Sequence, residues 1–211
     1  MFPSVPGKIV CLARSFRKHA EELGNAVPSE PLYFLKAPSA LIGPGEAIRL
    51  PAASREVHHE AEVAVVVGRR LSRASAEEAF AAIAGWTVLN DVTARDLQKA
   101  DGGRFTRAKG FDTFCPMAAD RLPSLDWRRC RIQCRVDGAL RQDGALSDLL
   151  WTPGEVLAAI SACMTLVPGD VVSLGTPDGV GPIVAGESVE VRLVGPDGAT
   201  LLSLWNPVVA G

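Results

Sequence analysis

The sequence predicts an α+β domain, mainly β, built round a mixed sheet that is closed or strongly curled. Three observations carry this. Short apolar, β-branched runs recur along the chain. The C-terminal half is strand-rich with one good helix. The β-α alternation needed for a doubly wound parallel sheet is not sustained. Residues 7–13 read as a strand and 15–23 as a helix, with Gly24 and Asn25 as its stop. Residues 32–36 and 48–50 are short extended runs set between prolines and Gly45. The Val-rich run 60–67 is the clearest strand, and Gly68 ends it. The Ala-rich stretch 76–84 reads as helix, 86–90 as strand and 93–100 as helix. Residues 131–136 and 139–142 flank Asp137 and Gly138, a hairpin turn signal. Residues 152–165 have helical apolar spacing with Pro153 near the start. Residues 170–174, 188–193 and 201–205 complete the strands.

The length of 211 residues fits one domain over residues 1–211, with 1–6 as a short N-terminal extension. Lys plus Arg is 22 against 24 for Asp plus Glu, a formal net charge of −2. That balance argues against a strongly basic nucleic-acid binder. The longest uncharged runs, 156–169 and 198–211, have 14 residues. A transmembrane helix needs about 20 apolar residues, so no membrane partner is expected. No apolar stretch of signal-peptide type precedes Lys8. The cysteines, Cys11, Cys115, Cys130, Cys134 and Cys163, are odd in number and irregularly spaced. They read as reduced, partly buried thiols of a cytoplasmic protein.

The chemistry-bearing residues lie in six separate segments. In His58-His59-Glu60-Ala61-Glu62 the strand alternation turns Glu60 and Glu62 to one face. Both faces beyond Glu62 are apolar, so two carboxylates on an interior strand need protonation or a cation. All-oxygen ligation suits a hard divalent ion such as Mg2+, Mn2+ or Ca2+. The other reading is a solvated strand end. Asp91 is a third carboxylate, or only a helix N-cap. Arg95 and Gln98 share a helix face, and Arg95 suits either a substrate carboxylate or a surface salt bridge. His19 and Glu22 are helical neighbours, either a general base with its orienting carboxylate or a surface contact. Lys109 lies in Ala108-Lys109-Gly110-Phe111-Asp112. The turn from Gly175 to Pro182 allows close backbone approach to a ligand and offers the Thr176 hydroxyl, or is a plain hairpin connection.

Taken in order, these segments, with His19 and Glu22 lying in Arg14-Ser15-Phe16-Arg17-Lys18-His19-Ala20-Glu21-Glu22, and one other, Phe34-Leu35-Lys36-Ala37-Pro38-Ser39-Ala40, resemble the fumarylacetoacetate hydrolase family. The chain looks closest to its short members, the acylpyruvases and fumarylpyruvate hydrolases. The resemblance implies a mainly β roll, a catalytic domain assembled as a homodimer, and metal ligation by Glu60, Glu62 and Asp91. It implies a water-activating dyad of His19 and Glu22, with Lys109 stabilising negative charge. Arg14, Lys36, Arg95, Gln98 and Thr176 would contact substrate, and Thr113 would support the metal shell. Ser15-Phe16 stands where the family often has Asn-Tyr, and Phe105 where it often has Trp. Both changes bear on chain-length preference more than on metal chemistry.

The implied reaction is Mg2+- or Mn2+-dependent hydrolysis of a C–C bond in a β-diketo acid, such as an acylpyruvate or fumarylpyruvate, to pyruvate and a carboxylic acid. The partner is a small anionic 2-oxo acid. The same enolate chemistry would serve an oxaloacetate decarboxylase or a 2-oxo acid tautomerase or isomerase. A non-catalytic metal- or ligand-binding protein is the alternative of a different class.

Overall fold

A computed structural model describes residues 5–16 and 28–211. The helix predicted at 15–23 therefore falls largely outside the described residues, as do His19 and Glu22. The strands are β1 (Ile9–Ala13), β2 (Leu32–Lys36), β3 (Leu41–Ile42), β4 (Ile48–Leu50), β5 (Val57–His59), β6 (Ala61–Val67), β7 (Ile83–Asn90), β8 (Thr93–Ala94), β9 (Cys115–Pro116), β10 (Arg131–Val136), β11 (Ala139–Ala145), β12 (Val171–Ser173), β13 (Gly181–Pro182), β14 (Ser188–Val194) and β15 (Thr200–Ala210). The fold is mainly β, as the sequence predicts. Its mixed sheet is divided into two five-stranded sheets, ordered β2-β1-β12-β6-β7 and β11-β10-β14-β15-β4. The parallel pairs among the described residues are β1 with β12, β15 with β4 and β3 with β9. Small sheets β13-β5-β8 and β3-β9 flank them.

All seven residues of β6 are buried, so the strand separates two apolar spaces. Val63, Val65 and Val67 face the large core, which also holds Val10 and Val88 and, from the second sheet, Ile132, Val191 and Leu204. Ala64 and Val66 face a smaller core with Ile9, Leu89, Met117 and Val171. Glu62 precedes Ala64 by two residues and so belongs to the smaller face. Strand register then gathers its neighbours. Cys11 is opposite Ser173, Ser173 opposite Ala64, and Glu62 opposite Leu89. Phe34 is opposite Cys11, and Lys36 opposite Ile9. Residues directly opposite in a sheet share a face. The smaller core therefore ends in a polar border of Cys11, Ser173, Glu62 and Asp91, which lies two residues beyond Leu89.

Three elements differ from the sequence reading. The strand expected over 60–67 is interrupted at Glu60, between β5 and β6. There the Glu60 amide donates to Asn90 Oδ1 (2.9 Å) and the Asp91 amide donates to the Glu60 carbonyl (2.9 Å). The helix expected over 76–84 is only Ala76–Phe80, behind a capping box of Ser75 and Glu78. Ile83 instead pairs with Val67 in β7, and sheet burial outweighs the helix preference of alanine. Of 93–100, Thr93 and Ala94 form β8 against β5, and the helix is Arg95–Ala100.

The hairpin and the long helix match their signals. Asp137 (φ 47°) and Gly138 (φ 79°) both take positive φ, the requirement of a type I′ turn. Helix Pro153–Cys163 starts at a capping box of Thr152 and Glu155. Cys11, Cys115, Cys130 and Cys134 are buried free thiols, and Cys163 is exposed. No helix among the described residues is long and apolar enough to cross a membrane.

Candidate functional site

Three carboxylates and three cations interlock at the polar border. Glu60 is 4 % exposed, Glu62 1 % and Asp91 0 %. Lys109 Nζ donates to Glu60 Oε2 (2.7 Å), Asp91 Oδ2 (2.5 Å) and the Thr93 hydroxyl (2.7 Å). Lys36 Nζ donates to Asp91 Oδ1 (2.7 Å) and the Val92 carbonyl (3.3 Å). Arg95 pairs with Glu60 Oε1 and with Gln98 Oε1 (3.0 Å). The Ser173 hydroxyl donates to Glu62 Oε2. Glu62 Oε1 is buried without a hydrogen-bond partner among the described residues.

Within this cluster of described residues three carboxylates face three cations, Lys36, Lys109 and Arg95, and Arg14 lies on the same cavity. Burial pushes the Glu62 carboxyl well above its usual range, and Asp91 and Glu60 add to the effect. Burial opposes the charge on Lys109, but Asp91 and Glu60 outweigh it and hold the ammonium above its ordinary value. Among the described residues Glu62 is thus the acid of the cluster with no ion-pair partner. Its orphaned oxygen fits a bound cation, which would satisfy it and permit ionisation. Cys11, Glu62 and Asp91 each offer a donor atom, all within 4.8 Å of one another. Glu60 borders the same space, but its oxygens are engaged by Arg95 and Lys109.

A cavity of about 90 Å³ opens on the cluster. Its lining includes Arg14, Glu60, Glu62, Arg95, Lys109 and Thr176. Phe34 and Phe105 stack along it with ring centroids 4.4 Å apart, and Lys109 Nζ lies 5.1 Å from the Phe34 ring. Arg14 reaches the cavity from a left-handed backbone (φ 55°), uncommon for a non-glycine residue.

Other expected contacts take different places. Lys36 is 2 % exposed and sits behind Asp91 as a countercharge rather than on the cavity wall. Thr113 accepts from the Arg49 amide (2.9 Å) and is not part of the cluster. The Thr176 hydroxyl donates to the Ala61 carbonyl (3.0 Å) and accepts from Gln142 Nε2 (2.8 Å). Its loop turns at Gly175 (φ 91°), where a Cβ would lie 1.8 Å from Ser15 Oγ, so only glycine fits.

Cys11, Ser173 and Gln142 are missed by sequence reasoning. Gln142 comes from β11 and is 1 % exposed. Its Oε1 accepts from the Ala61 amide (3.0 Å) and from His59 Nδ1 (3.0 Å), and Nε2 donates to the Pro177 carbonyl (2.9 Å). It therefore joins both sides of the Glu60 break to the Thr176 loop. No local motif marks it, because its partners are remote in sequence.

Burial pulls the His59 imidazole from 6.5 down to about 4, against the Gln142 hydrogen bond. Between those values the unfolded chain binds a proton that the folded protein refuses. Stability should therefore fall as pH falls through this window, by roughly 3 kcal/mol in all. Urea midpoints at pH 7 and pH 4 test this, and His59→Asn should flatten the dependence. Parallel losses in both proteins would remove His59 as the cause.

Fold and cluster define a class: a mainly β scaffold that gathers buried carboxylates for a cation. The chain belongs to the fumarylacetoacetate hydrolase family. Residues 8–209 match the family described as Fumarylacetoacetate (FAA) hydrolase C-terminal. The mitochondrial oxaloacetate tautomerase of Arabidopsis thaliana is 39% identical over 193 residues, covering 89% of this chain and 86% of the relative. The crystal structure of 5-carboxymethyl-2-hydroxymuconate delta-isomerase from Mycobacterium smegmatis is similar at TM-score 0.89 and 42% identity, covering 99% of this chain and 81% of that one. Fumarylpyruvate hydrolase from Pseudomonas aeruginosa, in complex with Mn2+ and pyruvate, is similar at TM-score 0.88 and 28% identity, covering 98% and 91%. The family thus joins hydrolases, isomerases and tautomerases on one fold.

Proposed function

We propose that this protein is a divalent-metal-dependent enzyme that converts a short 2-oxo dicarboxylate through its enol form. Oxaloacetate is the representative substrate, and keto–enol tautomerisation or decarboxylation the reaction. The observation that carries this reading is the charge and size of the cavity. Among the described residues Lys36, Lys109 and Arg95 offset the three carboxylates and Arg14 adds positive charge at the cavity, so a bound divalent ion would leave the site net positive, suited to a dianion. The cavity of about 90 Å³ is small beside the 300–1,000 Å³ typical of drug-sized ligands. The tautomerase relative acts on a substrate of this size.

Glu60, Glu62 and Asp91 would hold Mg2+ or Mn2+, with Ca2+ a third hard candidate. The ion would supply Lewis acidity toward the 2-oxo and carboxylate oxygens. Arg95, braced by Gln98 and Glu60, presents a planar guanidinium to a substrate carboxylate. Lys109 keeps a charged ammonium beside the Phe34–Phe105 wall, where it opposes negative charge on the 2-oxo oxygen. Arg14 borders the entrance as a further contact for a second carboxylate. The family resemblance assigns the proton transfers to His19 with Glu22 as its partner carboxylate, both outside the described residues.

Hydrolysis of an acylpyruvate or fumarylpyruvate is the second reading, favoured by the relative solved with Mn2+ and pyruvate. It requires activated water, so His19→Ala should lower hydrolysis at least ~100-fold. Metal-assisted decarboxylation does not require that base and should persist. The deciding experiment is a Mg2+- and Mn2+-supplemented screen of oxaloacetate, acetylpyruvate and fumarylpyruvate, with enol absorbance and pyruvate release as readouts. Preferential turnover of oxaloacetate is expected. Rapid acetylpyruvate hydrolysis with oxaloacetate untouched would overturn the first reading in favour of the second.

A further inference from the structure

We propose that Cys11 gives this site a second, softer donor set, so that thiophilic divalent cations such as Zn2+ and Cd2+ bind through Cys11, Glu62 and Asp91 rather than through carboxylates alone. The inference rests on reading Glu62 and Asp91 as cation ligands, and extends it to a residue and an ion class outside that reading.

Geometry carries it. Donor atoms of the three side chains lie within 4.8 Å of one another, and all three residues are buried. Their convergence follows from the sheet, since Cys11 is opposite Ser173 and Ser173 donates to Glu62 Oε2. The remaining oxygen, Glu62 Oε1, is buried and has no hydrogen-bond partner among the described residues. Glu60 stands apart from this triad, with its oxygens held by Arg95 and Lys109. A cation at the triad would share Asp91 with Lys36 and Lys109, whereas the Arg95–Glu60 pair lies outside the triad.

The chemistry separates two classes of ion. Mg2+ and Mn2+ prefer oxygen and gain little from sulfur, whereas Zn2+ and Cd2+ bind thiolate strongly. Thiols ligate as thiolates, so the sulfur joins the site only with an ion that binds thiolate strongly enough to displace its proton. In that step the S–H bond breaks, its proton passes to solvent, and the sulfur lone pair forms the bond to the cation. No oxidation state changes.

The test is a Cd2+ titration of the intact protein, read by the ultraviolet thiolate-to-cadmium charge-transfer band and by cadmium-113 NMR. A parallel Mn2+ titration is read by calorimetry. Cys163→Ser removes the exposed thiol and serves as the reference background. One Cd2+ per chain should produce the band and a sulfur-ligated resonance. Adding Cys11→Ser should abolish the band and weaken Cd2+ binding at least ~10-fold, with Mn2+ affinity changed less than ~3-fold. A band that survives Cys11→Ser, or bound Cd2+ with an all-oxygen resonance, overturns the proposal. Binding of Mn2+ without Cd2+ also overturns it. Sulfur-bound Cd2+ with no Mn2+ or Mg2+ binding leaves Cys11 as a donor and instead defeats the hard-metal reading under Proposed function. Should Cys11→Ser fail to fold, the cadmium resonance of the Cys163→Ser protein decides alone.

Discussion

Asp91→Ala should destabilise the metal-free protein by about 3–5 kcal/mol, the usual result of removing one partner from a buried ion pair. Each Asp91 oxygen accepts from a different buried ammonium, Lys36 at 2.7 Å and Lys109 at 2.5 Å. Lys109 would retain Glu60 and Thr93. Lys36 would retain only the Val92 carbonyl at 3.3 Å, with its side chain at 0 % exposure. The loss is thus dominated by an uncompensated charge in the smaller core. For a chain of this size it corresponds to a fall in Tm of roughly 6–20 °C. Scanning calorimetry without divalent ions measures it. Asp91→Asn should lie between, because the amide oxygen still accepts one hydrogen bond. A cost below about 1 kcal/mol for Asp91→Ala would mean that the lysines find other partners, contrary to the anchoring role assigned here.

Glu62→Gln should behave in the opposite way. Divalent-ion affinity should fall at least ~100-fold, and every metal-dependent activity with it. Stability without metal should be unchanged or slightly raised. Glu62 has no ion-pair partner among the described residues, and burial already favours its neutral form, so a neutral amide of the same shape removes none of the ion pairs described. The Ser173 hydroxyl can still donate to the amide oxygen. Mn2+ titration by calorimetry, paired with urea denaturation of the apoprotein, reads both effects. Retained Mn2+ affinity would remove Glu62 from the ligand set. A large loss of stability would show that the carboxylate is a structural anion. The contrast between the two substitutions distinguishes an acid that holds the fold together from one held ready for a cation.

Much of this site is legible along the chain because it obeys local rules. Strand alternation places Glu62 on the face of Ala64 and Val66. The helical spacing of Arg95 and Gln98 produces the hydrogen bond between them. Asp137 and Gly138 make their turn, and Thr152 starts its helix. The failures also have physical causes. The alanines of 76–84 favour helix locally, but pairing with β6 claims Ile83 for the sheet. Lys36 resembles any other basic residue in a ligand motif until β2 lies beside β1 and turns it toward Asp91. Gln142 and Ser173 carry no signal, since their partners are up to 111 residues away in sequence.

The sequence by itself determined the mainly β architecture and the family, because periodicity and motif spacing are properties of neighbouring residues. Only the tertiary structure decided which acid is neutralised by which cation, and which thiol joins them. Those outcomes depend on the register of β1, β12 and β6 and on the exclusion of water from one end of a small core. In that setting a contact within a few ångströms outweighs any preference written along the chain.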